Sequence, residues 1–231
     1  MNDTLISFLP RIDTKLPTLF MKTKNDKGVD GVSTMSVDKT GNIASTGWCV
    51  VDTFPEEKFQ ITPSELLKIL NLGRSLTIEE EMLVAKNTEF DSVTLWSYTA
   101  PTKEQSVAIT YDETPIPLNK NLIQHLVRTT ELNPRLYIFQ AKDGILSINA
   151  EYSVGDSKFQ SHNEHTMLRI PAPNLPNGSH KFDGPSMAML LQLLNDNAEF
   201  TLTFQEKPSM FTLTGEGFIV RNYIMPIITY E

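Results

Sequence analysis

The sequence predicts an α+β protein that is built from two similar halves. Each half begins with a short helical segment, continues through several strands, reaches a second helix that starts with Pro-Ser, and ends in strands. The two Pro-Ser pairs, Pro63-Ser64 and Pro185-Ser186, lie about 120 residues apart, and Phe59 and Phe182 precede them at similar spacing. This repeated order of elements indicates a divergent duplication, and a proline-rich stretch separates the halves.

Length and composition fit such an arrangement. The chain has 231 residues, of which 40% are hydrophobic and 21% are charged, as is usual for globular proteins. The length suits two domains of roughly 115 residues, each able to bury a core. No run of about 18 apolar residues occurs and no basic segment precedes an apolar stretch at the start, so we expect neither a membrane span nor a secretion signal. The single cysteine, Cys49, excludes an internal disulfide and indicates a reducing, cytoplasmic setting.

The first half opens with apolar residues at helical spacing. Leu5, Phe8, Leu9 and Ile12 predict a helix over residues 3–12, which Pro10 shortens or distorts. Turn residues then separate four predicted strands, which lie near residues 18–24, 32–38, 43–52 and 57–61.

The clearest helix start in the chain is Thr62-Pro63-Ser64-Glu65. Thr62 is suited to cap the helix, Pro63 to occupy its first position, and Glu65 to complete a capping box. Leucine and isoleucine follow at helical spacing until Gly73, which favours termination. Strands are predicted near residues 77–86 and 91–98 and complete this half.

Residues 100–117 contain three prolines and predict an interdomain connector. Its apolar residues Val107, Ile109 and Tyr111 would allow part of it to lie along a sheet. The predicted domains are therefore residues 1–99 and 118–231.

The second half opens with a helix that has one apolar and one polar face. Asn119 is suited to cap it, and the apolar face consists of Leu122, Ile123, Leu126 and Val127. On the opposite face Lys120, Gln124 and Arg128 form a row without an acidic member. A second helix is predicted from residue 183, and strands are predicted near residues 135–141, 144–152, 164–172, 199–206, 209–214 and 218–230.

The stretch from Phe182 to Ile227 resembles the last domain of bacterial beta sliding clamps. It has a leucine-rich helix, a strand, a proline-marked hairpin and a closing strand that ends in Tyr223-Ile224-Met225-Pro226-Ile227. The length and two-part organisation are similar to the phage-type clamp and to proliferating cell nuclear antigen, whose subunits have two domains. Residues 115–150 also resemble the start of the second domain of the phage-type clamp, a polar-led helix followed by a Lys-Asp-Gly hairpin.

The resemblance implies a DNA clamp fold, with antiparallel sheets in each domain and two helices on one side that line a hole for DNA. It implies non-specific contacts to duplex DNA from the solvent faces of these helices, at Arg11, Lys15, Lys68, Arg74, Lys120, Gln124 and Arg128. The fourth helix departs from this pattern, because residues 185–195 contain no basic residue. An outer surface that carries the net charge of −8 would repel DNA everywhere except in the hole.

The resemblance also implies protein partners, namely a DNA polymerase, a clamp loader and further copies of the same chain. Polymerase and loader would bind a hydrophobic pocket near the connector and the C-terminal tail. By their position in the chain, the residues expected to line this pocket are Val107, Ile109, Tyr111, Ile224, Met225, Pro226 and Ile227. Copies of the chain would form a head-to-tail homotrimeric ring through edge strands, with residues 91–98 and 165–172 as candidates. If the protein is phage-encoded, it would act in the cytoplasm of a bacterial host.

No enzymatic motif accompanies these features. The sequence lacks a phosphate loop, a His-Glu-x-x-His zinc motif and a Gly-x-Ser-x-Gly elbow, and we expect no cofactor. His162, Glu164 and His165 do not predict a metal site, because residues 162 and 165 of a strand point to opposite faces. The alternatives left open are a β-rich viral structural or interaction protein, a monomeric processivity factor of clamp fold, and an uncharacterised enzyme.

Overall fold

The computed structural model describes residues 3–73, 75–87, 92–99, 109–152, 163–204 and 207–227. Within these residues the chain forms four α-helices and fifteen strands, and every strand pair whose register is described is antiparallel. The chain divides into two compact units. The first is drawn from Met1–Lys39, Ala44–Ala108 and Thr214–Arg221, and the second from Thr40–Ile43, Ile109–Leu213 and Asn222–Glu231.

The first unit contains two helices. Its strands β4-β1-β2-β3 are neighbours in the eight-stranded sheet of the chain, and β5-β6-β7 form a separate three-stranded sheet. Helix α2 packs on β6 and β7 and on the short 3₁₀ turn Leu9–Arg11 that follows α1. The elements are α1 Asp3–Phe8, β1 Thr18–Lys24, β2 Asp30–Val37, β3 Ile43–Val50, β4 Phe59–Ile61, α2 Pro63–Leu72, β5 Ser75–Glu79, β6 Met82–Asn87 and β7 Ser92–Ser97.

The second unit also contains two helices. Its strands β11-β10-β9-β12 form one sheet, and β14-β13-β8 are neighbouring strands of a larger sheet, next to β15, whose last residues belong to this unit. Helix α3 packs against α4, and α4 contacts β9 and β12. The elements are β8 Ile116–Leu118, α3 Lys120–Thr129, β9 Leu136–Lys142, β10 Ile145–Tyr152, β11 Asn163–Pro171, β12 Gly178–Asp183, α4 Gly184–Gln192, β13 Ala198–Thr201, β14 Ser209–Gly215 and β15 Phe218–Ile224.

The helix starts that the sequence indicated are confirmed in detail. Thr62 Oγ1 accepts a hydrogen bond from the Glu65 amide at 3.3 Å, and Glu65 Oε2 accepts one from the Thr62 amide at 3.4 Å, which completes the capping box of α2. Asn119 Oδ1 caps α3 by accepting from the Leu122 amide at 2.9 Å. These caps satisfy amides that the first helical turn leaves without partners.

An aromatic cluster fills the core of each unit, and in each unit one of its members comes from the strand that precedes the second helix. In the first unit Phe59 of β4 is fully buried and stacks on Phe20 and Phe54, with ring centroids 5.5 Å apart in both pairs. In the second unit Phe182 of β12 is fully buried and meets Phe139 edge-on at 5.2 Å. The repeat seen in the sequence thus corresponds to equivalent positions in the two cores.

Gly184 allows α4 to start directly from β12. Its amide donates to the Arg135 carbonyl oxygen at 2.9 Å, and a Cβ atom at this position would lie 1.8 Å from the Pro134 carbonyl oxygen. Any larger residue would therefore push α4 away from the segment that precedes β9.

Several predicted strands differ from the observed ones. The single strand predicted at 77–86 is wrong, because β5 and β6 form a hairpin whose turn, Glu80 and Glu81, has φ angles of 50° and 61°. The strand predicted at 199–206 ends at Thr201, and the one predicted at 218–230 ends at Ile224. Strands β8 and β12 were not predicted.

Strand β8 falls within the predicted connector. Ile116–Leu118 pairs with β13, where Pro117 lies opposite Glu199. Proline is tolerated here because β8 is the last strand in its sheet and needs to donate on one side only.

Candidate functional sites

The solvent face of α3 is the most basic helix surface among the described residues. Lys120, Gln124 and Arg128 are exposed, as predicted from their spacing. Asn121 and His125 are exposed on the same side of the helix and were not predicted, although their spacing from Lys120 and Arg128 would have indicated them. The helix contains no acidic residue, so this face presents only cations, amides and an imidazole.

One acidic residue, Asp196, forms an ion pair with a lysine of this surface. Lys120 Nζ lies 3.3 Å from Asp196 Oδ2, and 64% of each side chain is exposed. An ion pair this open to solvent contributes little, and a phosphate group could replace the carboxylate.

The helices of the first unit present fewer cations. Lys68 is exposed on α2, while Arg11 is only partly exposed at the end of the 3₁₀ turn. Lys15 is exposed, and its Nζ lies 3.4 Å from Asp13 Oδ2. Arg74 lies outside the described residues. On α4, the residues that reach solvent are neutral, and they include Met189 and Gln192.

A pocket of about 440 Å³ lies in the second unit at the end of β15. The four residues that the sequence singled out, Ile224 to Ile227, all line it: Ile224 and Pro226 are buried, Met225 is half-buried, and Ile227 is 39% exposed. The sequence did not indicate the other lining residues, which are Thr40, Gly41, Asn42, Asp183 and Ser186.

Two backbone hydrogen bonds hold the apolar wall of this pocket in place. The Met225 amide donates to the Asn42 carbonyl oxygen at 2.9 Å, and the Ile227 amide donates to the Lys181 carbonyl oxygen at 2.7 Å. Asp183 is fixed on the polar side, because its Oδ2 accepts from the Ser186 amide at 2.9 Å and caps α4. The pocket therefore combines an apolar wall with a polar one that carries a carboxylate and no lysine or arginine.

The connector residues predicted for the pocket do not line it. Val107 lies outside the described residues, and Ile109 and Tyr111 are half-buried elsewhere in the second unit. The Tyr111 hydroxyl donates to the Pro208 carbonyl oxygen at 2.8 Å, and Lys207 Nζ donates to the Thr110 carbonyl oxygen at 3.3 Å. These two bonds anchor the described part of the connector to the segment before β14.

The edge strands proposed for contacts between subunits are terminal strands of their sheets. β7 ends the three-stranded sheet, and β11 ends the four-stranded sheet. On β7, Val93 and Leu95 are 58% and 60% exposed. An edge strand with alternate apolar side chains in solvent is a template for pairing with another chain.

No metal cluster or reactive cysteine is found in the described part of the chain. It contains no group of three histidine, cysteine or acidic residues that could hold a metal ion, while the side chains of His162, Glu164 and His165 lie outside it. Cys49 is buried, and burial raises its pKa to about 12, so it remains a neutral thiol. None of the described helices is long and apolar enough to cross a membrane.

We predict that Tyr111→Phe loosens the connector. The substitution leaves the Pro208 carbonyl oxygen without its donor and should lower the free energy of unfolding by about 1–3 kcal/mol at pH 7. Urea titrations followed by tryptophan fluorescence measure this. Tyr98→Phe is the control, with an expected change within about 0.5 kcal/mol.

The same variant should change the alkaline stability profile. Burial raises the pKa of Tyr111, with smaller contributions from Tyr223 and Glu113. The folded state thus holds the phenol proton more tightly than the unfolded state, and this contribution is present below about pH 10 and lost as the pH rises above it. Tyr111→Phe should flatten the fall in stability between about pH 9 and 11. An unchanged stability at pH 7 together with an unchanged slope would show that this hydrogen bond does not anchor the connector.

Comparison with known proteins identifies the fold. No protein-family signature matches the chain, and no curated protein matches its sequence. Among solved structures, proliferating cellular nuclear antigen from Entamoeba histolytica is similar with a TM-score of 0.72 and 10% identity, over 97% of this chain and 95% of that one. The same antigen from Thermococcus kodakaraensis is similar with a TM-score of 0.62 and 15% identity, over 96% and 95% of the two chains. Because both matches span nearly the whole of each chain, the protein has the two-unit α+β fold of the sliding clamps.

Proposed function

We propose that the chain is the subunit of a DNA sliding clamp, a ring that encircles duplex DNA, tethers a polymerase and catalyses no reaction. The observation that carries this proposal is the solvent face of α3, which presents Lys120 and Arg128 without any acidic residue in the helix of an otherwise acidic chain. The fold supports it, and so does the pocket at the end of β15.

The DNA contacts in this proposal are weak and independent of sequence. Lysine and arginine contact phosphates without reading bases, so a ring could slide while remaining attached by topology. The proposed contacts are those predicted from the sequence together with two additions from the exposed face of α3, giving Arg11, Lys15, Lys68, Arg74, Lys120, Asn121, Gln124, His125 and Arg128.

We predict that the double substitution Lys120→Glu and Arg128→Glu weakens DNA binding and reduces its salt dependence. Each phosphate contact that is lost should make the plot of log affinity against log salt shallower by about 1. The measurement is fluorescence anisotropy of a labelled linear duplex over a series of NaCl concentrations.

The matched control is Lys27→Glu with Lys142→Glu, which changes the net charge equally at two exposed lysines outside the helices. If both double variants lose affinity equally, overall charge governs binding and α3 is not the DNA-facing surface.

Ring closure would pair β7 of one copy with β11 of the next. This is a head-to-tail contact, and three copies of a two-unit chain would make the six-unit ring that the resemblance implies. Val93 and Leu95 would bury their apolar side chains at this contact, which accounts for their high exposure in the single chain.

We predict that the chain forms a trimer near three times its mass of 26.0 kDa, and that Leu95→Asp dissociates it. A carboxylate at this position would be buried without a partner in the contact. Light scattering on a sizing column over a concentration series measures the mass.

Val29→Asp is the control, since Val29 is 41% exposed in the turn between β1 and β2 and should leave the mass unchanged. A wild-type chain that stays monomeric at every concentration would contradict a stable ring.

The pocket at the end of β15 would bind a peptide from the polymerase or the loader. Met225 can repack around different apolar side chains, and Asp183 favours a partner with a donor or a positive charge at the polar wall. Such a site allows one ring to serve several partners in turn.

We predict that Ile227→Asp shortens the DNA products made by the polymerase encoded in the same genome when a heparin trap prevents rebinding. The substitution removes apolar contact area while keeping the amide that bonds to Lys181. Ile145→Asp is the matched control, because Ile145 is exposed to a similar degree, 43% against 39%, and does not line the pocket. Product lengths that are equal in the two variants would remove Ile227 from the partner site.

A further inference from the structure

The outer edge of β5 is open in the first unit. β5 is a terminal strand of its three-stranded sheet, and no strand among the described residues pairs with its outer side. The other edge of this sheet is β7, the strand proposed for ring closure, so the two edges are separate surfaces. Leu76 and Ile78 of β5 are only half-buried. An unpaired strand edge with partly exposed apolar side chains is a template for a further strand.

In the second unit the corresponding edge is covered. β13 corresponds to β5, because each follows the second helix of its unit and forms an antiparallel pair with the next strand along the chain. On its other side β13 pairs with β8. Ala198 and Phe200 of β13, the counterparts of Leu76 and Ile78, are buried. The repeat therefore shows what this type of edge looks like when a strand occupies it.

Strand β8 indicates which kind of segment fits such an edge. It runs antiparallel to β13, with Ile116 opposite Phe200 and Leu118 opposite Ala198. Ile116 and Leu118 are both buried, whereas Pro117 between them is exposed. The matching segment for β5 is therefore an antiparallel strand with two apolar residues that are separated by one other residue.

The backbone of β5 is arranged to accept this strand. The turn between β5 and β6 has two residues, so Glu79 and Met82, which lie on either side of it, are the hydrogen-bonded pair that closes the hairpin. The direction of the backbone groups alternates along a strand, so those of Thr77 also face β6. Those of Leu76 and Ile78 face the open edge, where they are available to another chain.

Charge at the end of β5 selects the residues that flank the added strand. Glu79, Glu80 and Glu81 are all exposed. Glu79 is paired with Lys86, whose Nζ lies 2.6 Å from its Oε1, whereas no ion pair joins Glu80 or Glu81 to any residue that the structure describes. In a strand that runs like β8, the residues before the first apolar position lie beside this turn. Basic residues at that end would complement the two carboxylates.

We infer that the outer edge of β5 binds an extended segment of a partner protein by strand addition, with the pattern basic-basic-apolar-x-apolar. Main-chain hydrogen bonds to Leu76 and Ile78 supply affinity, and the two apolar side chains reproduce the burial seen at β8. The basic residues face Glu80 and Glu81 and fix the direction of the segment. The inference rests on the first unit alone and requires neither ring formation nor DNA.

The test measures amide hydrogen exchange by NMR on the full chain, with and without the peptide acetyl-Lys-Lys-Ile-Thr-Leu-Thr-amide. We expect the peptide to slow exchange at Leu76 and Ile78 and to leave Val93 and Leu95 of β7 unchanged. A control peptide with N-methyl groups on its isoleucine and leucine keeps the side chains but cannot form the strand pair, and it should bind at least about tenfold more weakly. A peptide with two glutamates in place of the lysines should bind roughly fivefold more weakly.

The double substitution Glu80→Lys and Glu81→Lys should reverse the preference between the lysine and glutamate peptides. The matched control is Asp26→Lys with Glu57→Lys, which changes the net charge equally at two exposed sites outside the strands and should keep the lysine preference. The three peptides test strand pairing on the wild-type chain, so the test remains valid even if a variant does not fold.

Four outcomes would each overturn the proposal: equal binding of the N-methylated peptide, slowed exchange on β7 in place of β5, a lysine preference that survives in the Glu80 and Glu81 variant, or no slowed exchange up to about 20 mM peptide. Exchange at Leu76 that slows with chain concentration alone would assign the edge to a second copy and would overturn it as well. Because the assay contains no DNA or polymerase, its failure is distinct from failure of the clamp function.

Discussion

The burial of one phenylalanine immediately before the second helix of each unit links the hydrophobic core to that helix. Phe59 and Phe182 are fully buried, and each contacts other rings of the aromatic cluster in its unit. Because a capped helix starts a few residues later, placing the phenylalanine also places the helix. The position of the phenylalanine therefore also sets which face of the helix is exposed to solvent and where its capping residue lies.

In the second unit the same junction connects the core to the pocket at the end of β15. Phe182 is in the core, Asp183 caps α4 and lines the pocket, and Gly184 brings the helix within hydrogen-bonding distance of the Arg135 carbonyl oxygen. Three consecutive residues therefore contribute to core packing, helix initiation and the pocket lining. A side chain at Gly184 would overlap the Pro134 carbonyl oxygen, and the resulting shift of α4 would disturb all three.

The charge of α3 differs in sign from the net charge of the chain. The chain has a net charge of −8, yet α3 has two cations and no acidic residue on its exposed arc. A helix face with cations and no carboxylate of its own has a more positive local potential than the net charge of the chain suggests. Helix α4, by contrast, carries no basic residue.

The pocket at the end of β15 is shaped by its backbone. Hydrogen bonds from the Met225 and Ile227 amides fix the apolar wall, and Asp183 Oδ2 accepts a hydrogen bond from the first turn of α4. The wall is therefore held in place, while the unbranched side chain of Met225 can still adopt different rotamers.

The features that depend on local pattern could be predicted from the amino-acid sequence. Helical spacing and capping residues located α2, α3 and α4, and the duplication of about 120 residues identified two similar units. The polar row of α3 was also predictable, because residues three and four apart on a helix share a face. The hairpin turn at Glu80 and Glu81 was not, since glutamate is unusual at positive φ and gives no turn signal. The sequence indicated Ile224 to Ile227 as pocket residues but not the opposite wall. Only the tertiary structure brings Thr40–Asn42 to Met225, because a contact across more than half of the chain leaves no periodic pattern within a segment.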